Sequence, residues 1–127
     1  MTIPNRISAI SLFVEDVAAS KAFYSNLFGV VPINEDEVSV AFRFGDTVIN
    51  LLHRDSADEI VAPDRVGARG EGSQFQLTVW LDDVGAIADE LHRRGIAFNG
   101  PIDRAWGLRT INFVDPSGHS WEVAQRI

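Results

Sequence analysis

Apolar residues near the start of the chain recur first at every second position and then at every third or fourth. The alternation over residues 7–14 predicts a β-strand with two different faces. From Val17 to about Phe28 the spacing changes to that of an amphipathic helix, with Asp16 as its N-cap and Gly29 as its C-terminal stop. The chain is therefore expected to begin with a strand followed by a helix.

Strand-like alternation returns after this helix and completes a first module. Residues 38–44 and 47–53 each alternate between apolar and polar positions, and Gly45 and Asp46 supply the turn between them. Two or three strands are expected in this region, which gives the order βαβββ. We place this first module at about residues 5–54.

The next part of the chain, residues 54–73, is rich in charged residues, glycine and alanine and has no sustained period. Connections of this length are uncommon in compact domains and are usually functional or disordered. Residues 59–61 could form a turn of helix inside it. The three arginines of this segment could face an anionic ligand, although solvated charge is the simpler interpretation. We predict a connecting loop over about residues 55–73.

The second half of the chain repeats the order of the first. Residues 75–81 alternate strictly, and Asp83 precedes a helix whose apolar residues follow the i, i+3, i+4, i+7 pattern and which Gly95 ends. A short strand is expected over residues 96–98. The similar lengths of the two helices favour an internal duplication. The second module is placed at about residues 74–127.

The last hairpin carries a carboxylate in an otherwise apolar strand. Residues 108–114 are rich in β-branched and aromatic side chains, residues 115–118 (Asp-Pro-Ser-Gly) favour a turn, and residues 119–124 form the second strand. Glu122 stands between Trp121 and apolar neighbours, so a half-buried position is expected for it. A carboxylate at such a position suggests a role in binding or chemistry.

Composition and charge limit the class of protein. The chain has 127 residues, 46% of them hydrophobic, which suits one soluble domain or two half-domains that share a core. No basic region followed by an apolar run opens it, and no stretch approaches the roughly 18 apolar residues of a membrane span. We expect a cytoplasmic protein that does not bind membranes. The absence of cysteine excludes disulfides, thiolate nucleophiles and cysteine-ligated metal sites.

The net charge of −7 argues against binding to the phosphate backbone of nucleic acids. If a ligand is selected by charge, it would be a cationic small molecule. The sequence contains no G-x-G-x-x-G, P-loop or G-x-S-x-G motif, and no Ser-His-Asp arrangement is supported by order or spacing.

The duplicated module and its motifs resemble the vicinal oxygen chelate superfamily, which includes glyoxalase I, bleomycin-resistance proteins and extradiol dioxygenases. The resemblance rests on the sequence runs Val-Glu-Asp, Ala-Phe-Tyr, Leu-Phe-Gly and Asp-Pro-Ser-Gly-His-Ser-Trp-Glu at residues 14–16, 22–24, 27–29 and 115–122. It implies an α+β fold in which two βαβββ modules form an incomplete eight-stranded barrel. It also implies one glyoxalase-like domain over residues 1–127, usually in a homodimer, with the ligand inside.

The resemblance also implies where a metal would bind. Metal-dependent members hold a divalent ion with side chains from the first and last strands of each module. Those places are held here by Ala9, Asn50, Gln76 and Glu122. Only Glu122 is a good ligand, and a catalytic site usually needs three protein ligands. Metal catalysis is therefore disfavoured; if zinc, nickel, manganese or iron is bound after all, Gln76 and Glu122 are its expected ligands.

The histidines of the chain do not supply the missing metal ligands. Period-two alternation places His53 on the opposite face from Asn50 and His119 on the opposite face from Glu122, unless a bulge reverses one of them. His92 lies on the polar side of its predicted helix.

With a metal site disfavoured, the resemblance still implies a ligand cavity with a few polar groups and aromatic walls. Trp106 is expected near its mouth, and Leu108 could take the place of Arg109. The expected ligand-binding residues are Ser11, Phe13, Asn50, Gln76, Thr78, Trp80, Trp106, Arg109 and Glu122, with Ala9 beside them. Such a composition suits a flat or cationic small molecule. The structural alternative for Glu122 is an ion pair with Arg109 or Arg43 inside the sheet.

Two functions of different class follow. The first is a metal-free protein of the resistance type that binds an aromatic or cationic compound, such as an antibiotic. The second is a metal-dependent lyase, isomerase or dioxygenase in which Glu122 is a metal ligand or a base. Glu122 is then the only candidate catalytic residue. A divergent member that binds some other metabolite is a third possibility.

Overall fold

Each half of the chain forms a four-stranded mixed sheet in the computed structural model, which describes residues 1–127. The chain divides into two units, residues 1–70 and 71–127. Each unit contains one βαβββ module, so the α+β fold of two such modules expected from the sequence is confirmed. None of the helices has both the length and the apolar composition that crossing a membrane requires.

The first module orders its strands as β1-β4-β3-β2, with β1 parallel to β4 and the other neighbours antiparallel. The strands predicted over residues 7–14, 38–44 and 47–53 match β1, β3 and β4 to within two residues at each end. The elements are β1 (Ala9–Val14), α1 (Val17–Phe28), β2 (Pro32–Glu35), β3 (Ser39–Phe44) and β4 (Thr47–His53).

Helix α1 begins and ends where its capping residues predict. The carboxylate of Asp16 accepts a backbone N–H of the first turn at 3.0 Å. Gly29 closes the helix with a φ of 65°, a conformation that glycine adopts without steric cost. Tyr24 is fully buried between the helix and the sheet, and its ring lies 6.3 Å from that of Phe42 in β3. Helix α1 therefore covers the face of the first sheet that carries Phe42.

The turn between β2 and β3 is held by one exposed carboxylate. Asp36 Oδ1 accepts the backbone N–H of Val38 at 2.8 Å and both the N–H and the hydroxyl of Ser39 at 2.9 and 3.1 Å. The hydrogen bond from Val38, followed by that from the Ser39 hydroxyl, lowers the pKa of Asp36 below its ordinary value.

We therefore expect an NMR titration of the side-chain carboxyl carbons to give Asp36 a midpoint below 3.8. The folded state favours the carboxylate, so its contribution to stability is present above the unfolded-state pKa and is lost as the pH falls through the folded-state pKa. Ser39→Ala removes one donor and should raise the midpoint. A midpoint at the ordinary value, unchanged by that substitution, would contradict the hydrogen-bonded turn.

Short helical turns occupy the connection that follows β4. The helical turn predicted over residues 59–61 is confirmed as α2 (Asp58–Val61), and single turns of 3₁₀ helix cover Arg54–Ser56 and Arg69–Glu71. The guanidinium of Arg54 donates to the carbonyl of Gly67 at 2.6 Å, so this arginine holds the connection together.

The second module has the equivalent strand order, β5-β8-β7-β6, with β5 parallel to β8. Asp83 caps α3 by accepting a backbone N–H of its first turn at 3.0 Å, and Leu91 is fully buried. The elements are β5 (Gln76–Trp80), α3 (Val84–Arg93), β6 (Asn99–Asp103), β7 (Leu108–Val114) and β8 (Ser120–Arg126).

The strand predicted over residues 96–98 is wrong, because the strand in this region is β6 at Asn99–Asp103. The prediction failed because Gly100 and Pro101 lie inside the real strand, and both residues normally interrupt one. They are tolerated here because β6 is the edge of the sheet, where a proline leaves no ladder hydrogen bond to a further strand unmade.

Candidate functional site

The second sheet has one face against α3 and one face that α3 does not cover. Gln125 of β8 accepts the backbone N–H of Val84 at 2.9 Å, which places the start of α3 on the face of Gln125. Side chains alternate along a strand, so Trp121 and Val123 share this helix face and are buried. Glu122 points to the other side. We call that other side the open face.

Two cross-strand hydrogen bonds join β5 to β8 on the open face. The side-chain amide of Gln76 donates to the hydroxyl of Ser120 at 3.0 Å, and the hydroxyl of Thr78 donates to Oε1 of Glu122 at 3.0 Å. Each pair consists of residues directly opposite each other in the parallel ladder. The structure therefore brings Gln76, Thr78 and Glu122 together on one face of the sheet, where their polar groups form hydrogen bonds between β5 and β8.

A row of polar side chains continues from Glu122 across the rest of the sheet. Asn112 of β7 lies opposite Glu122, and Asn99 of β6 lies opposite Asn112 and donates to its amide oxygen at 3.3 Å. We call Thr78, Glu122, Asn112 and Asn99 the polar row. Sequence reasoning did not identify the two asparagines. The signal was available, because Asn112 interrupts an apolar strand just as Glu122 does.

The three tryptophans have different environments. Trp121 is only 3% exposed and belongs to the core, whereas Trp80 is 53% and Trp106 69% exposed. The guanidinium carbon of Arg126 lies 4.9 Å from the centre of the Trp80 ring, and that of Arg104 lies 6.0 Å from the Trp106 ring. Each exposed indole therefore has an arginine of the same chain on one face.

Arg109 does not lie on the open face with Glu122. It lies opposite Gln125 in the β7–β8 ladder, which puts it on the helix face, away from Glu122. Its guanidinium forms two hydrogen bonds with Asp103, at 2.7 and 3.1 Å, and these lower the pKa of Asp103. The ion pair between Arg109 and Glu122 considered from the sequence is thus absent, and Leu108 is the neighbour that shares the open face.

The predicted residues of the first module lie on the face of its sheet opposite α1. Ser11 stands directly across from Asn50 in the β1–β4 ladder, and Ala9 and Phe13 follow on the same side. His53 does not, because it lies an odd number of residues from Asn50. Its Nδ1 instead accepts a backbone N–H two residues later, at 3.1 Å.

His119 is also engaged away from the open face. Its Nδ1 lies 2.8 Å from the carboxylate of Asp115, whose side chain is fully buried in the turn before β8. Its ring centre lies 6.4 Å from that of Phe75. His119 is therefore part of the turn and does not reach Glu122.

The side chains at the positions of the family's metal ligands do not fit a catalytic divalent metal. Ala9 offers no donor atom, and Asn50 and Gln76 offer neutral amides, which are poor ligands for zinc, nickel or iron. Glu122 is the one strong ligand among them, and one of its oxygens accepts the Thr78 hydroxyl. No group of three or more histidine, cysteine, aspartate or glutamate side chains is placed to hold a metal ion.

Solved structures share this fold over almost the full chain. A glyoxalase/bleomycin resistance protein/dioxygenase from Nocardioides superimposes with a TM-score of 0.87 at 22% identity, covering 100% of this chain and 87% of that one. A lactoylglutathione lyase from Agrobacterium tumefaciens gives a TM-score of 0.78 at 23% identity, covering 98% and 96%. At such identities the likeness is one of fold.

Sequence comparison establishes the family. YraH, an uncharacterized protein of Bacillus subtilis (strain 168), is 36% identical over 124 residues, which cover 93% of this chain and 96% of that protein. The model of the Glyoxalase/Bleomycin resistance protein/Dioxygenase superfamily matches residues 6–123. The chain therefore belongs to the glyoxalase/bleomycin resistance protein/dioxygenase superfamily.

Proposed function

We propose that this chain is a small-molecule-binding member of the superfamily that acts without a bound divalent metal. One observation carries the proposal: Gln76 and Glu122, the two best donors at the family's metal positions, are hydrogen-bonded to Ser120 and Thr78 of the neighbouring strands. Glu122 belongs to no group of three or more histidine, cysteine, aspartate or glutamate side chains that could hold a metal ion. The open face thus offers a polar binding surface in place of a ligand set for a metal.

The chemistry of the open face supports an aromatic or cationic compound, with antibiotics among the candidates. Oε1 of Glu122 is taken by Thr78, which leaves Oε2 to accept an N–H from a cation. Trp80, two residues beyond Thr78 on the same side of β5, supplies an exposed aromatic wall. Trp106 is a second exposed aromatic residue of this module. Asn112 and Asn99 can each hydrogen-bond a neutral polar group.

Ser11, Phe13 and Asn50 remain proposed ligand contacts on the first module, since their side chains share the face opposite α1. Arg109 is dropped from the proposed contacts because it lies on the helix face of its sheet. The proposal also includes a homodimer and a location in the cytoplasm. Sedimentation velocity measures that assembly directly, and a monomer at micromolar concentration would count against it.

Chelator-stripped protein should not bind nickel, zinc, manganese or iron(II) stoichiometrically in a calorimeter. The physical reason is the ligand set, in which one carboxylate and neutral amides replace the usual three histidine or carboxylate ligands. Stoichiometric binding at micromolar or tighter affinity that Glu122→Gln abolishes would overturn the proposal. The metal-dependent lyase, isomerase or dioxygenase would then be restored, with Gln76 and Glu122 as metal ligands.

A thermal-shift screen of aromatic and cationic compounds, antibiotics included, should yield a ligand that raises the unfolding temperature. For a cationic hit, Glu122→Gln should weaken binding about tenfold or more, because it removes a charge-assisted hydrogen bond. The matched control is Glu37→Gln, which removes an exposed charge from the β2–β3 turn of the first module. Equal weakening by both variants would mean that only the net charge of the protein matters.

A further inference from the structure

A small pocket lies where β5 and β8 end, beyond the polar row. Its volume is about 230 Å³, and it is lined by Trp80, Leu81, Asp82, Gln125 and Arg126. Pockets for drug-sized ligands usually measure about 300–1,000 Å³, so this one suits a metabolite with a single ring or a short aliphatic chain. The pocket shares only Trp80 with the ligand site proposed at Glu122.

Arg126 is arranged to bind a carboxylate. Its guanidinium carbon lies over the Trp80 ring, 4.9 Å from the ring centre, and the guanidinium forms no ion pair with an acidic side chain. The N–H donors of a guanidinium lie in its plane, and no acidic side chain of the chain occupies those of Arg126. Those donors match the two oxygens of a carboxylate, and the indole limits the positions that the guanidinium can take.

The same pocket carries an opposite charge that is not paired with Arg126. Asp82 follows β5 and is exposed, and no salt bridge joins it to any cation of the chain. Two opposite charges that line one pocket without pairing are complementary to a ligand that carries both charges. Trp80 and Leu81 add an aromatic and an aliphatic surface between them.

We infer that this pocket binds a small zwitterion of the α-amino acid class with an apolar or aromatic side chain. The carboxylate of the ligand meets the guanidinium of Arg126, its ammonium group meets Asp82, and its side chain packs against Trp80 and Leu81. The inference goes beyond the proposed function, because it names a different ligand class and depends on none of the family's metal positions.

The test uses three probes that share one ring. L-Phenylalanine carries both charges, 3-phenylpropionate lacks the ammonium group, and phenethylamine lacks the carboxylate. Each is titrated into the ¹⁵N-labelled full chain to roughly 10 mM, where a ligand with a Kd of about 1 mM occupies most sites. The readouts are the NMR signals of the Trp80 indole N–H, which belongs to both proposed sites, and of the Arg126 Nε–H, which belongs to this pocket alone.

L-Phenylalanine should shift both signals, and each single-charge probe should bind there about tenfold more weakly or worse. In Arg126→Gln, phenylalanine should no longer bind more tightly than phenethylamine. In Asp82→Asn, it should no longer bind more tightly than 3-phenylpropionate. Arg104→Gln removes the other arginine–tryptophan contact and should change neither preference. These paired losses of discrimination do not arise from unfolding, which would abolish binding of every probe.

Two outcomes would overturn the inference. One is that no probe shifts the two signals, and the other is that all three bind with equal affinity in the unaltered chain. Either result leaves the proposed function standing if aromatic cations still bind at Glu122. Conversely, stoichiometric metal binding abolished by Glu122→Gln would defeat the proposed function and leave this pocket unaffected.

Discussion

Asp115→Ala is expected to lower the free energy of unfolding by about 3–5 kcal/mol. Asp115 is 2% exposed, and its carboxylate accepts the backbone N–H groups of Ser117 and His119, both at 2.9 Å, and Nδ1 of His119 at 2.8 Å. Alanine leaves these donors without their acceptor. A buried donor without a partner costs about 1–3 kcal/mol, and at least two are left here.

Urea unfolding followed by tryptophan fluorescence measures this loss. Asp115→Asn keeps one oxygen acceptor and should lose about half as much. Asp46→Ala is the matched control, because Asp46 lies exposed in the turn between β3 and β4, where a substitution changes stability by about 0.5 kcal/mol or less. A loss below about 1 kcal/mol for Asp115→Ala would show that the turn does not depend on its carboxylate.

The importance of this turn for the site follows from the register that it sets. The turn joins β7 to β8 so that Val114 lies opposite Ser120, and this pairing brings Asn112 opposite Glu122. A shift by one residue would move Glu122 to the helix face and bury a carboxylate against α3. The Asp115 side chain thus supports the polar row without being part of it.

Much of the fold could be predicted because local chemistry determines it. Asp16 and Gly29 limit α1 through hydrogen bonds and backbone conformation, and the prediction of residues 17–28 holds at both ends. Strict alternation likewise identified Gln76, Thr78 and Trp80 as one exposed face of β5. Helix caps and strand alternation are determined by a few neighbouring residues and depend little on the rest of the chain.

Features that depend on pairing between strands could not be predicted. Whether Arg109 or Leu108 shares the face of the sheet that carries Glu122 is decided by the length and geometry of the turn before β8, and the register places Leu108 on that face. The edge position of β6 is likewise a property of the whole sheet, and only that position makes Pro101 acceptable in a strand. The pocket at Arg126 needs both the β5–β8 pairing and the chain beyond β5, so no single motif could reveal it.

Gly100→Ala is expected to destabilise the protein by about 2–5 kcal/mol, because two penalties coincide at this residue. Gly100 has a φ of +110°, which side chains rarely adopt, and an added Cβ would lie 2.6 Å from the carbonyl oxygen of Thr110. Thr110 is fully buried in β7, so its backbone cannot move aside without disturbing the sheet. The edge strand would therefore have to separate from β7.

Gly45→Ala is the control that measures the cost of a positive φ alone, without the steric contact that Gly100→Ala adds. Its φ of +59° is also positive, but nothing lies within 4 Å of the added Cβ, so it should lose only about 1–2 kcal/mol. The difference between the two variants in urea unfolding measures the steric contact with Thr110.

The same substitution should also disturb the polar row, because Asn99 precedes Gly100 and ends that row. In ¹⁵N NMR spectra, the signals of the Asn99 and Asn112 side-chain amides should shift in Gly100→Ala and stay unshifted in Gly45→Ala. Equal losses of stability in the two variants would mean that β6 has room to move away from β7, and that the polar row does not depend on close packing at this edge.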